Sequence, residues 1–229
     1  MTPTLFLVWG DSSASPSQVE ALRDVLTPRR GLVRALAFLA TNPAPDDPFA
    51  VDGPRPALTL ELGFADLAAF ENAAAIWEGE PAFGLPGSST FSAQAMLGRR
   101  FATPDPVFRL GGGERPCTLL VAYPGACDDL EAWLDHYDAH HPPIMVRFPA
   151  VRDVATFRPL REARLPETWP RGAAMQRNKV VFDSRAALQA ALASPIRREM
   201  RADFEVFPPF TGRPTHFPTT TFDLIDASR

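Results

Sequence analysis

Tyr137, His141 and Asp203 have the types and placement to move a proton. Tyr137 and His141 lie four apart in the stretch Asp128 to His141, and residues four apart share a helix face. Wound at about 100° per residue, Leu130, Trp133, Leu134, Tyr137 and His141 fall on one stripe. A stripe of this kind faces a core, so the phenol and the imidazole point inward together. A histidine titrates near neutral pH and can act as general acid or base. Pro142-Pro143 ends the predicted helix and leaves His141 in its last turn, where the helix dipole favours the imidazolium. A second helix is predicted after Ser194, a fitting N-cap, with Pro195 in its first turn. Ile196, Met200 and Phe207 mark its apolar stripe, and Asp203 falls on it. A carboxylate on a core face needs a partner. It pairs with His141, contacts Tyr137, or caps a turn after the helix ends near Ala202.

His136 and His140 are also four apart, which suits a metal. No third ligand at suitable spacing, HExxH motif or cysteine pair accompanies them, so no metal site is expected. His140 is placed at a cleft mouth, and His216 lies in a Pro-rich approach to the last strand. Tyr123, Trp133, Phe148, Phe157, Phe204, Phe207 and Phe210 supply aromatic surface for a core or for a flat apolar ligand. Arg147 and Arg152 flank the turn after His141 and suit a substrate carboxylate.

Prolines punctuate the elements that must position these groups. Of the 25 prolines, many cluster at Asn42–Pro56, Pro104–Pro116, Pro159–Pro170 and Pro208–Pro218. The second cluster contains Gly111-Gly112-Gly113 and divides the chain near its middle. The triplet lacks the context of a phosphate loop. The two sides match in element order. Leu5–Trp9 answers Leu119–Tyr123 as a first strand, and Ser17–Thr27 answers Asp128–His141 as a helix. Extended stretches follow at Leu32–Ala40 and Val151–Arg158. Third strands at Ala57–Asp66 and Lys179–Ser184 run into helices at Ala65–Ala75 and Ser184–Ala193. Closing strands lie near Phe91–Phe101 and Phe217–Ile225. The expected fold class is α+β: βαββαβ twice, two tandem ferredoxin-like units forming an intrachain pseudo-dimeric α+β barrel. The expected divisions are 1–103, a linker at 104–116, and 117–229 with the site. Each sheet would cover the other's open face.

The composition narrows the function classes. With 45% hydrophobic residues, 22% charged residues and a net charge of −4, the chain can bury a core and lacks the positive field of a nucleic-acid binder. No run approaches the length of a membrane helix, and no leader is visible, so a cytoplasmic protein is expected. Cys117 and Cys127 read as reduced thiols.

From about Thr118 to Ile225 the chain resembles the EthD family of the dimeric α+β barrel superfamily. The resemblance is carried by Trp133 to Ile144, with its aromatic, His and spaced Pro, and by Phe148-Pro149-Ala150-Val151-Arg152. Phe182-Asp183-Ser184, Ser194-Pro195 and Ala202-Asp203-Phe204 fit further on. The first half has no His or Tyr around Arg23 to Arg30, so the family's site residues do not carry over there. The resemblance implies small-molecule chemistry between helices and sheet. Superfamily members include cofactor-free monooxygenases, lactone isomerases, polyketide cyclases and haem enzymes, and fold does not choose among them.

The expected function is a cofactor-independent lyase, isomerase or cyclase, with decarboxylation or retro-aldol cleavage included, acting on a small hydrophobic, aromatic or phenolic compound. His141 moves the proton, Tyr137 holds the developing oxyanion and Asp203 orients the imidazole. Tyr123, Trp133, His140, Arg147, Phe204, Phe207 and His216 are the expected substrate contacts. No cofactor is expected, with haem on His141 as the alternative. A cofactor-free monooxygenase and a non-catalytic binding protein are the competing functions. Nucleic acid and membrane are not expected partners, and a homodimer of the whole chain is compatible with this reading.

Overall fold

The computed structural model describes residues 1–10, 14–26, 30–40, 55–78 and 91–225. The first half contains β1 (Thr2–Trp9), α1 (Pro16–Leu26), β2 (Leu32–Ala40), β3 (Leu58–Phe64), α2 (Leu67–Trp77) and β4 (Phe91–Phe101). The second contains β5 (Cys117–Pro124), α3 (Leu130–Met145), β6 (Val151–Pro159), β7 (Ala174–Phe182), α4 (Arg185–Leu192), α5 (Pro195–Phe204) and β8 (Thr215–Asp223). Of the expected Asn42–Pro56 loop, residues 42–54 lie outside the described residues.

The strands close into one antiparallel barrel in the order β1-β3-β2-β8-β5-β7-β6-β4. Within the first half the order is β4-β1-β3-β2, and within the second it is β6-β7-β5-β8. The same order thus occurs twice, and the pairs β2–β8 and β4–β6 join the halves. Closure removes the sheet edges that would otherwise template aggregation.

Strand periodicity sorts the side chains. On β1, Leu5, Leu7 and Trp9 face outward into the core under α1 and α2, while Phe6 faces the barrel interior beside Met96 and Phe157. On β5, Leu119, Val121 and Tyr123 face α3, α4 and α5, while Leu120 faces inward to Phe38 and Phe217. Two outer cores result, one per half. Recurring caps start the helices: Asp66 accepts from the Ala69 amide at 2.8 Å, Asp129 from Ala132 at 3.0 Å and Ser184 from Ala187 at 3.2 Å.

Helix α3 departs from expectation. It runs through Pro142 and Pro143 to Met145 instead of stopping after His141. The prolines remove two amide donors, but Pro142 still accepts from the Val146 amide at 3.0 Å, and both Pro142 and Met145 are buried. Packing outweighs the lost bonds. The turn that follows holds Ala150 at φ 58, the left-handed region that glycine favours.

Two expected ligand contacts are redirected by the fold. Phe157 faces the barrel interior, because its neighbours in the alternation take the helix side. Arg152 is bound by Asp183 at 2.6 Å and Asp105 at 2.6 Å, tying the segment after β4 to the start of β6. No helix among the described residues is long and apolar enough to cross a membrane.

Candidate active site

The site lies where α3 and α5 meet over the outer face of β5 and β7. His141 projects from α3 and Asp203 from α5, and their Nδ1 and Oδ2 atoms are 2.6 Å apart. A carboxylate only accepts, so Nδ1 carries the proton and Nε2 is left with a lone pair. Nε2 has no hydrogen-bond partner among the described residues, and the ring lines a cavity. The side chains are 7% and 11% exposed. Burial disfavours the imidazolium and outweighs the Asp203 carboxylate, so the His141 pKa lies below its ordinary value, with Arg197 adding to the lowering. The expected helix-end effect on His141 does not operate, since α3 continues past it.

The cavity measures about 60 Å³. Its wall is apolar along Leu119, Val121, Met145, Val180, Met200 and Phe204, with Tyr123, His141, Asn178, His216, Arg197 and Arg201 as its polar members. That volume holds water but falls short of the roughly 150 Å³ at which an apolar cavity takes up a benzene ring.

Tyr137 is fully buried behind this wall and does not line the cavity. Burial pushes its phenol well above the ordinary range. Its Oη is 2.6 Å from Nδ2 of Asn178, its hydroxyl is 4.0 Å from the Met145 sulfur, and Oδ1 of Asn178 is buried without a partner. A separation that short suits O–H···O better than N–H···O. Oxygen and nitrogen of an amide are assigned by the network around them. With the Asn178 amide turned over, Tyr137 donates to Oδ1, the orphaned acceptor is satisfied and the –NH2 becomes the buried, unpartnered donor of a residue that lines the cavity.

Of the expected site residues, the structure gathers His141, Asp203, Tyr123, Phe204 and His216 at the cavity or its dyad. Phe207 packs on the His141 ring with centroids 5.0 Å apart, and Trp133 stacks on Tyr137 at 5.4 Å. Both support the site from behind. His140 is exposed, with Nδ1 2.7 Å from the His136 carbonyl of its own helix. Arg147 is exposed and paired with Glu199 at 2.7 Å, linking the end of α3 to α5. Neither lines the cavity. The His136 and His140 rings lie 4.3 Å apart, and no group of three metal-ligating side chains occurs among the described residues. Asn178 and Met145 were not singled out by the sequence, and Met200 was read only as part of an apolar stripe. Asn178 alternates with Val180 and Phe182, so extending the predicted strand one residue upstream of Lys179 places an amide on the helix-facing side.

No family model matches the chain, and no curated protein matches it. Solved structures do. An anthrone oxidase-like protein superposes with a TM-score of 0.63 at 14% identity, covering 98% of this chain and 94% of its own. A monooxygenase-like protein from Fusobacterium nucleatum gives 0.59 at 7% identity, with 96% and 91% covered. A chlorite dismutase from Candidatus Nitrospira defluvii gives 0.52 at 11% identity, with 97% and 91% covered. The chain therefore shares the mixed α+β barrel fold of these proteins; among its described residues are eight antiparallel strands and five helices.

Proposed function

We propose that the chain is a proton-transfer enzyme acting on a small aromatic or phenolic carbonyl compound, with His141 as its base. One observation carries this reading: the 2.6 Å His141–Asp203 pair, whose imidazole lines the cavity with Nε2 unpartnered among the described residues. Nε2 takes an acidic C–H or O–H proton from the substrate. Asp203 fixes the tautomer and stabilises the imidazolium that forms. The enolate or phenolate oxygen is met by the Asn178 –NH2, a role the sequence suggested for Tyr137. Return of the proton at another atom is isomerisation, loss of a leaving group is a lyase reaction, and attack on a second carbonyl is cyclisation. None changes the net oxidation state, so the dyad suffices. Admission of a ring requires α5 to move away from α3, with the flexible Met145 and Met200 side chains repacking around it.

The chain is read as two ferredoxin-like units, 1–103 and 117–229 joined by 104–116, that pair within one molecule. The repeated strand order supports this. Among the described residues, Trp9, Phe64, Phe70 and Trp77 fill the space under α1 and α2 of the first half. One site per chain follows.

A second reading is a cofactor-free monooxygenase, favoured by the near-complete superposition on an anthrone oxidase-like protein. The same deprotonation would then make a carbanion that takes up O2 at carbon, and the hydroperoxide would lose water to leave a carbonyl. Turnover of a panel of phenolic carbonyl compounds, with and without O2, tests both. Product formed without O2 favours the first reading, and one O2 consumed per product favours the second. Full turnover by His141→Ala on an identified substrate would rule out both.

A further inference from the structure

The barrel interior holds a second, larger cavity on the opposite face of β5 and β7 from His141. It measures about 590 Å³ and opens at the end where β1 and β5 finish and β3, β4, β7 and β8 begin. Its wall includes Phe6, Val8, Leu120 and Phe217, with Ser92 and the Arg177 guanidinium among its polar groups. Strand β7 sends Arg177 and Lys179 to the same interior side, two residues apart, but the two cations are treated differently. Lys179 is fully buried and neutralised by Glu61 at 2.7 Å and Asp153 at 3.7 Å. Glu61 also holds Arg34, and Asp153 holds Arg100, so that end of the barrel is closed by a network of three cations on two carboxylates. Arg177 has no carboxylate among the described residues. Its Nε donates to Gln94 Oε1 at 3.2 Å, and its guanidinium lies 5.4 Å from the Phe6 ring centroid. Gln94 is locked in this pose, since its –NH2 donates to the Ala174 carbonyl at 2.7 Å. Nη1 and Nη2 are left without a partner.

A guanidinium stays charged in proteins and costs free energy when taken out of water unpaired. Burial alone lowers the Arg177 pKa to about 10. Near the mouth, Arg171 spends its nitrogens on the carbonyls of Leu165, Pro166 and Trp169, so a second cation faces this end without an acidic partner among the described residues. A planar fork of two free donors beside aromatic and aliphatic walls matches a carboxylate attached to a flat apolar body.

We propose that the barrel interior is a binding site for an aromatic carboxylate, held by Arg177 through Nη1 and Nη2 with its ring against Phe6, Leu120 and Phe217. This site is separate from the proton-transfer site and does not depend on that function. The probes are naphthoate and its neutral amide, titrated calorimetrically into the full chain. Naphthoate is expected to bind, and the amide to bind about tenfold or more weakly, the scale of a charge-assisted bond. Arg177→Met removes a half-buried charge without a carboxylate among the described residues and is expected to fold at least as stably while losing the same factor in naphthoate affinity. Arg177→Gln should repeat the loss. His141→Ala should leave naphthoate affinity unchanged, which separates this site from the other cavity. Equal affinity for acid and amide, undiminished binding by both Arg177 variants, or loss of binding in His141→Ala would each overturn the proposal, as would no naphthoate binding at millimolar concentration (order of magnitude).

Discussion

At the scale of single residues, the account rests on how burial and one carboxylate set the state of His141. Replacing His141 by Ala is expected to lower kcat/KM by about 10²–10⁴-fold, the usual worth of a general base. Asp203→Asn keeps the shape but frees the wrong tautomer, so kcat should fall steeply with KM little changed. Asn178→Leu should cost about 10²-fold in kcat if its amide meets the oxyanion. The His141 pKa is depressed in the folded chain. The acid limb of kcat/KM should therefore lie below the ordinary histidine value of about 6.5. The same depression means the unfolded chain binds more protons between the folded value and about 6.5, so stability falls as pH drops through that window. Denaturant titrations of the wild type and His141→Asn should diverge there and converge above it. Much of this was legible: the i, i+4 stripe marked His141, and Ser194-Pro195 set the helix phase that turns Asp203 toward it. Tyr137 was read as a cavity group because a stripe gives a direction, not a depth. Asn178 supplies the polar atom that Tyr137 does not.

At the scale of elements, the site is a joint between α3 and α5, and its stability should reside in buried contacts. The Arg147–Glu199 pair is exposed on both sides. Glu199→Gln is expected to shift unfolding by less than about 1 kcal/mol. Tyr137→Phe orphans a buried amide and should cost about 1–3 kcal/mol. Ala150 offers a gain. Its positive φ strains a Cβ, so Ala150→Gly should stabilise by up to about 1 kcal/mol in a thermal melt, the relief of strain being partly offset by the looser unfolded chain. Strand positions were well marked by apolar runs and proline punctuation, and Leu32–Ala40 and Phe91–Phe101 coincide with β2 and β4. The end of α3 was misplaced because a local rule about proline meets a buried Met145 one turn on. Strand β7 was begun too late, at Lys179, because Gln176, Arg177 and Asn178 do not look like strand residues until the two faces of the barrel wall are known.

For the whole molecule, the closed barrel creates an interior that neither half has alone, and its charges are where sequence reading was blind. Lys179 is the only lysine of the chain and lies between Glu61 and Asp153. Lys179→Met would leave carboxylates buried with only Arg34 and Arg100 at the rim, and should cost about 3–5 kcal/mol in denaturant unfolding. The first half closes the barrel but brings no histidine–carboxylate pair to it among the described residues, so the proton-transfer claim stands on the second half alone. The most direct test is anaerobic hydrogen–deuterium exchange into the acidic C–H groups of a panel of aromatic and phenolic carbonyl compounds, followed by NMR in D2O. Without O2, only proton abstraction is read. The wild type is expected to speed the exchange well above the buffer rate, and His141→Ala and Asp203→Asn to lose most of that acceleration. Exchange at the buffer rate in the wild type, or undiminished exchange in His141→Ala, would contradict the assignment of His141 as the base.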